Sequence, residues 1–339
     1  MAKASYQAIL MTGKGGPEVL KAVEQPLRPP AAGEVRVRTK ACGLGFTDVI
    51  MRRGYYPFAP PMPFVPGYEV LGEVDAIGEG VTGLSVGQRV AALTVHGGYA
   101  EYVYREAEHW VPVPEGLDDA EAVSLVLNYV TAYQMLHRTA RLEKGQKALV
   151  TGAAGGVGTA LLQLGRVAGV SCIGAASSPK HEIVRSLGAT PIDYRATPID
   201  EATLALVPEG VDAAFDGIGG ANIARCVRAV RRGGIVVAYG FTGVTGGGFM
   251  GNLSTASGML SLFAGAKLRG RRGEFYGITV LYRKDTAPFR EDLTILFDLL
   301  KKREIVPLIT DRIGLGGVLA AHERLEAGKV EGKIVLLFP

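Results

Sequence analysis

Apolar and polar positions alternate with period two in EVRVRTKA (34–41) and YEVLGEVDAIG (68–78), which predicts strands there. Prolines 57, 60, 61, 63 and 66 separate these runs with a stiff loop, and Phe46–Arg53 reads as a short helix. The first ~115 residues therefore read as short strands. The texture changes at Asp118, where an acid at a cap position and another three residues on predict a helix that runs to about His137. From Lys147 strand and helix patterns alternate. KALVT (147–151) precedes a glycine turn and a helix to about Ala168, then SCIGA (171–175), a helix from Ser178 to Gly188, VDAAFD (211–216), a helix near 220–231, and GIVVAY (234–239). Such alternation predicts a doubly wound parallel sheet in an α/β protein. EFYGITVLY (274–282) reads as a further strand, Thr286–Lys302 as a helix, and GKIVLLFP as a strand returning to the first domain.

Composition narrows the function classes. The 339 residues suit about two domains, and the balance of 21% charged to 47% hydrophobic residues is that of a globular chain. Glycine is in excess, at 47 residues, without collagen periodicity, which points to many turns and close backbone approaches. The net charge of +4 is not gathered into runs, so nucleic acid is not the expected partner, whereas an anionic small ligand is compatible. Cys42, Cys172 and Cys226 are far apart, and the start MAKASYQAILMTGKGG has no apolar run, so a reduced, cytoplasmic protein is expected. Gly233–Ala266 carries no charge over 34 residues, but ten are glycine. A spanning helix needs ~20 mainly apolar residues. A strand followed by a neutral loop is therefore expected, with no transmembrane segment.

The chemistry begins at VTGAAGGVG (150–158), where glycines lie between a strand and a helix. Such a turn lets a pyrophosphate approach the backbone, and the free N–H groups and positive dipole end of the following helix receive it. The candidate cofactor contacts here are Ala154, Gly155, Gly156, Val157 and Gly158. NAD sites normally carry an acid about 20 residues on, to bond the ribose hydroxyl. None occurs between Lys144 and His181, and the second strand instead runs into Ser177 and Lys180. Small hydroxyls and a lysine suit a 2′-phosphate, so NADPH is the expected cofactor.

The chain resembles the medium-chain dehydrogenase/reductase superfamily nearly throughout, in CGLGFTD (42–48), PGYEVLGEVDAIGEGV (66–81), GQRVAAL (87–93), GGYAEYV (97–103), NYVTAY (128–133), the glycine turn and GKIVLLFP (332–339). It is most similar to the zinc-free quinone oxidoreductase branch, including its synaptic-vesicle-membrane-protein-like members. The resemblance implies a GroES-like, β-rich catalytic domain (1–125 and 283–339) with an inserted Rossmann domain (126–282). It implies cofactor contacts at Asn128 and Thr131, at Tyr194 beside the 2′-phosphate, and at Gly240, Phe241, Ile278 and Val280. It also implies a homodimer paired through the Rossmann sheet.

Departures from the zinc-dependent members direct the reaction class. Gly45 stands at their ligand cysteine, Tyr68 at the histidine of Gly-His-Glu, and Leu127 near a later cysteine, and the four-cysteine lobe is missing. The five histidines have no ligand spacing and read as surface or satisfied residues, so no metal is expected. Without a Lewis acid, hydride acceptors must stabilise the added charge themselves. Quinones do so through aromaticity, and enones or enals through an enolate. The expected activity is NADPH-dependent reduction of such small electrophiles. Tyr56, matching a Gly-x-Tyr-Pro of the quinone reductases, and Thr47, at the proton-relay position of the zinc enzymes, are the catalytic candidates. Tyr55 is the alternative phenol, and Asp48 is read as structural. The competing expectation is a non-catalytic NADPH-binding structural or membrane-associated interaction protein of the same fold.

Overall fold

The computed structural model describes residues 4–240 and 249–339, without the side chains of 249–253. Contacts divide the chain into two units, Met1–Val130 with Leu281–Pro339, and Thr131–Val280.

The first unit is rich in strands. In chain order these are β1 (Ser5–Met11), β2 (Leu20–Pro26), β3 (Glu34–Leu44), β4 (Glu69–Ile77), β5 (Arg89–Leu93), β6 (Tyr102–Glu106) and β7 (Val111–Pro112). Along β3 the side chains of Val35, Val37, Thr39 and Ala41 are buried on alternate positions, the period the sequence displays. Each buried valine contributes about 1.5–3 kcal/mol. Helix α1 (Phe46–Arg53) follows β3 and ends at Gly54, whose φ of 78° a residue with a side chain adopts only under strain.

Asp118 caps the next helical run, α2 (119–140), by accepting the Glu121 N–H at 2.9 Å. This run is not uniform: π-helical turns at Leu125–Tyr129 and Gln134–Ala140 flank Val130–Tyr133. Such turns frequently occur at functional sites.

The second unit holds β8 (Lys147–Thr151), α3 (Gly156–Ala168), β9 (Ser171–Ala176), α4 (178–186), β10 (Thr190–Asp193), α5 (Ile199–Leu206), β11 (Val211–Asp216), α6 (Asn222–Ala229), β12 (Val230–Ala238), α7 (249–268) and β13 (Arg272–Phe275). Its strands are all parallel, in the order β10-β9-β8-β11-β12-β13. That is the doubly wound order, with the chain reversing direction across the sheet at β8 and β11. Leu149, Ile173, Ala214 and Val236 from four adjacent strands belong to one buried cluster with Ile223 and Val227 of α6.

Two expectations are corrected. EFYGITVLY is not one strand: β13 ends at Phe275 and Ile278–Lys284 forms helix α8. The apolar run fits either period, and burial decides it. Thr279 and Tyr282, three apart, are buried, while Val280 and Leu281 are 50% and 44% exposed. Tyr282 packs its ring against Phe289, 4.9 Å away. The neutral segment after β12 is not a loop throughout its described part, since Phe249–Leu260 and Ser261–Gly265 are helical. Among the described residues no helix is long and apolar enough to cross a membrane.

After α8 the chain adds α9 (Ala287–Lys301), β14 (Ile309–Ile313), α10 (Val318–Glu326) and β15 (Lys333–Leu337) to the first unit. β15 pairs antiparallel with β3, setting Leu336 opposite Cys42, in the sheet β14-β15-β3-β4-β5-β7.

Candidate active site

In the second unit, β8 runs into a turn that only small residues can make. Gly152 has φ +62°, and a Cβ on Gly158 would collide with the Gly152 carbonyl and Ala153 backbone. Ala153 and Ala154 are buried beneath the turn. Gly155 caps α3 with no side-chain bond, so the first N–H groups of a 13-residue helix carry no capping side chain. Gly155, Gly156 and Val157 are partly exposed there. This arrangement fits a pyrophosphate. Beside it, the buried Asp216 carboxylate at the end of β11 accepts Thr151 Oγ1 at 2.7 Å, the Gly219 N–H at 2.9 Å and Asn222 Nδ2 at 2.6 Å. Gly240 lies against Gly217, whose carbonyl oxygen is 2.7 Å from where a Cβ would stand. Phe241 lies outside the described residues.

The ends of β9 and β10 assemble the adenosine side. Ser177 is buried, Lys180 is partly buried in α4, and Tyr194 is exposed after β10. The Arg195 guanidinium stands 5.8 Å from the Tyr194 ring centre. Parallel register sets Asp193 beside Ala176, and the Asp193 carboxylate accepts a hydrogen bond from Ser178. That bond and the Arg195 N–H hold its pKa below the ordinary value. An acid is therefore present at the second strand after all, delivered by the next strand, where spacing along the chain does not reveal it. Lys180 and Arg195 supply two positive charges against this one. Arg195 has no signal of its own in the sequence beyond adjacency to Tyr194.

In α2, Asn128 and Thr131 are buried, and Thr131 Oγ1 has no hydrogen-bond partner. Ile278 and Val280 belong to α8 rather than to a strand, and Val280 is half exposed.

In the first unit Asp48 organises the turn that carries Thr47. Its carboxylate, fully buried, accepts the Gly45 N–H at 2.9 Å, the Gly67 N–H at 3.1 Å and the Tyr99 hydroxyl at 3.2 Å. Burial outweighs these bonds and raises its pKa to about 6. Asp48 thus joins the two segments that hold Gly45 and Tyr68. Thr47 is half-buried, and its hydroxyl bonds no described residue. Tyr56 is partly buried, and its hydroxyl lies 2.6 Å from that of the buried Tyr68. Tyr55 is 47% exposed. Phe58 meets the Tyr56 ring edge-on at 5.7 Å.

The residues at the expected zinc positions do not fit a zinc ion. Gly45 and Leu127 offer no side-chain donor, and the Tyr68 phenol is engaged by Tyr56. Glu69 is paired with Lys333, both buried, and accepts the Leu127 N–H at 2.6 Å. Among the described residues the one set of potential ligands within reach of each other is Glu106, Glu108 and His109, on the surface of the first unit. The histidines are not uniformly satisfied. Buried His322 leaves Nδ1 without a partner, and neither ring nitrogen of His96 is hydrogen-bonded to a described residue.

Comparison with known proteins supplies the lineage. Residues 31–115 match the alcohol dehydrogenase GroES-like domain, and 187–336 match the zinc-binding dehydrogenase domain. The synaptic vesicle membrane protein VAT-1 homolog of Danio rerio is 34% identical over 98% of this chain and 70% of its own length. The quinone oxidoreductase of Rattus norvegicus is 30% identical over 98% of this chain and 97% of its own. The chain belongs to the medium-chain dehydrogenase/reductase superfamily, in its VAT-1-like quinone oxidoreductase branch. A mycobacterial protein solved in complex with NADPH superposes with a TM-score of 0.85 at 29% identity, covering 98% of this chain and all of that one. Superfamily membership supports an oxidoreductase with a nicotinamide dinucleotide-binding domain.

Proposed function

We propose that this chain is a zinc-independent, NADPH-dependent oxidoreductase that reduces quinones or conjugated enones and enals. The observation that carries the reading is the Tyr56–Tyr68 phenol pair, which takes up the histidine position of the zinc-dependent members. A phenol carries an O–H that can donate a proton. NADPH, when bound, supplies the hydride. The α3 N-terminus would hold its pyrophosphate, and Lys180, Arg195, Ser177 and Tyr194 its 2′-phosphate. Thr131, Asn128, Ile278 and Val280 are the proposed neighbours of the nicotinamide. Tyr56 donates a proton to the oxygen of the reduced acceptor, with Thr47 proposed as a second hydroxyl that orients the same oxygen. A quinone or an enone needs no more electrophilic help than such donors give. The test is NADPH consumption against a panel of quinones and enones, with chelator present. Binding of NADPH without turnover of any acceptor would remove the reading.

One assembly feature belongs with it. β13 is the edge strand of its sheet, and Leu260, Phe263 and Leu268 of α7 are exposed, which supports a homodimer across this edge. Lys267, Arg269, Arg271 and Arg272 interleave with Leu268, and this mixture favours the second reading, a cofactor-binding protein that works by docking. The membrane named for the VAT-1 relatives is the partner to test for it.

A further inference from the structure

The arginines of the first unit are mostly neutralised. Arg28, Arg36, Arg38 and Arg89 each hold a carboxylate, and Arg105 and Arg290 bond backbone carbonyls. Arg283 differs. It is exposed at the end of α8 and has no carboxylate partner among the described residues. Its guanidinium carbon lies 5.5 Å from the Phe58 ring centre, and Phe58 in turn meets Tyr56 edge-on. The cation is thus one aromatic ring away from the proposed proton donor.

A second group in the same unit is the His96 imidazole, which feels the Arg283 charge. Val95 has φ +63°, a conformation rare for a β-branched residue and characteristic of functional sites. It is held there by its own N–H to the Tyr68 carbonyl at 3.1 Å, and the next carbonyl, of His96, accepts Arg105. This places the half-buried His96 imidazole edge-on to Phe64, 6.3 Å between centroids, with neither ring nitrogen bonded to a described residue. Burial, with Arg105 and Arg283 nearby, lowers its pKa to about 4. It is therefore neutral at pH 7 and has one N–H to donate. An arginine with no carboxylate partner among the described residues, next to Phe58 and Tyr56, and a half-buried imidazole with an N–H to donate suit a carboxylate on a flat, conjugated body.

We infer that the acceptors of this enzyme are acidic: Arg283, with His96 as a further donor, binds the carboxylate of a quinone or enone acid whose conjugated portion lies along Phe58 and Tyr56. The inference rests on the proposed reductase activity and deepens it. It assigns Arg283 to specificity and leaves proton transfer to Tyr56.

The experiment compares an enone acid with its methyl ester, and a carboxylate-bearing benzoquinone with its ester, in the wild type, Arg283→Gln and Arg283→Lys. A charge-assisted contact of this kind corresponds to a ~10- to 100-fold loss on removal. Arg283→Gln should lose that much kcat/KM on the acids, chiefly through KM, while the esters stay within about twofold. Arg283→Lys should recover part of the loss. Equal effects on acid and ester, or none on either, would overturn the inference. Should no acceptor be reduced by the wild type, the reductase reading itself fails. Calorimetry with the saturated keto acid then decides the site alone: saturable binding weakened about tenfold by Arg283→Gln retains it, and no binding removes it.

Discussion

The hydroxyl oxygens of Tyr56 and Tyr68 stand 2.6 Å apart, so one phenol donates to the other. Loss of a proton from Tyr56 would leave a phenolate to which Tyr68 can donate. Tyr56→Phe should therefore lower kcat on enones by about 10²–10⁴-fold, the usual range for a general acid, with NADPH affinity within about twofold. Tyr68→Phe should lower it less and shift the pH–rate profile, because the Tyr56 proton becomes harder to lose. The double variant should be no worse than Tyr56→Phe alone. Near-native enone turnover by Tyr56→Phe would transfer the proton donor's role to Tyr55 or Thr47.

Cofactor choice is tested at the ends of β9 and β10. Lys180→Ala should weaken NADPH by roughly ten- to hundredfold, from a contact of about 1.5–3 kcal/mol, and leave NADH nearly unchanged. Arg195→Ala should act in the same direction. Asp193→Asn should strengthen NADPH, since it removes the one carboxylate at this position. A variant of Lys180 that weakens both cofactors alike would show a scaffold residue instead.

Activity should persist after exhaustive chelation, and elemental analysis of the active protein should return no stoichiometric zinc. The donor chemistry at Gly45, Tyr68 and Leu127 motivates this. One tightly held zinc per chain would contradict it.

Asp48 gives a pH dependence of defined sign. Its folded pKa of about 6 lies above the ordinary aspartate value of 3.8. Between those values the folded state holds more protons than the unfolded one, so this group's contribution to stability falls as pH rises from about 4 to 6 and is constant above. Asp48→Asn would set an amide N–H against a backbone N–H at Gly45 or Gly67. It should cost about 1–3 kcal/mol and abolish this component when unfolding is measured across that range. An Asp48→Asn protein with native stability and the same pH slope would sink the argument.

How legible this was in the sequence depended on the range of each interaction. VDAAFD and KALVT form strands at the bounds their own apolar runs mark, and the glycine turn between β8 and α3 is a local feature. EFYGITVLY reads as a strand because its β-branched residues favour one, whereas packing of Tyr282 on Phe289 and His109 selects a helix over its second half. Tyr68 was visible as a departure from a zinc motif, but its pairing with Tyr56 depends on the fold of the loop between them. Asp193 is carried to Ser178 by strand register, which spacing along one strand cannot express. Arg283 and His96 are 187 positions apart and share no motif.

The pairing of β15 with β3 bears on how the protein is made. Nearly 300 residues separate Cys42 from Leu336, its partner in the register. Strand β3 of the first unit therefore waits, during synthesis, for a neighbour made only after all six strands of the second unit's sheet have left the ribosome. Closing so long a loop is slow. The Rossmann unit is thus free to fold first, and the strand edge of β3 is exposed in the interval, a window in which a chaperone or an aggregating neighbour would find it.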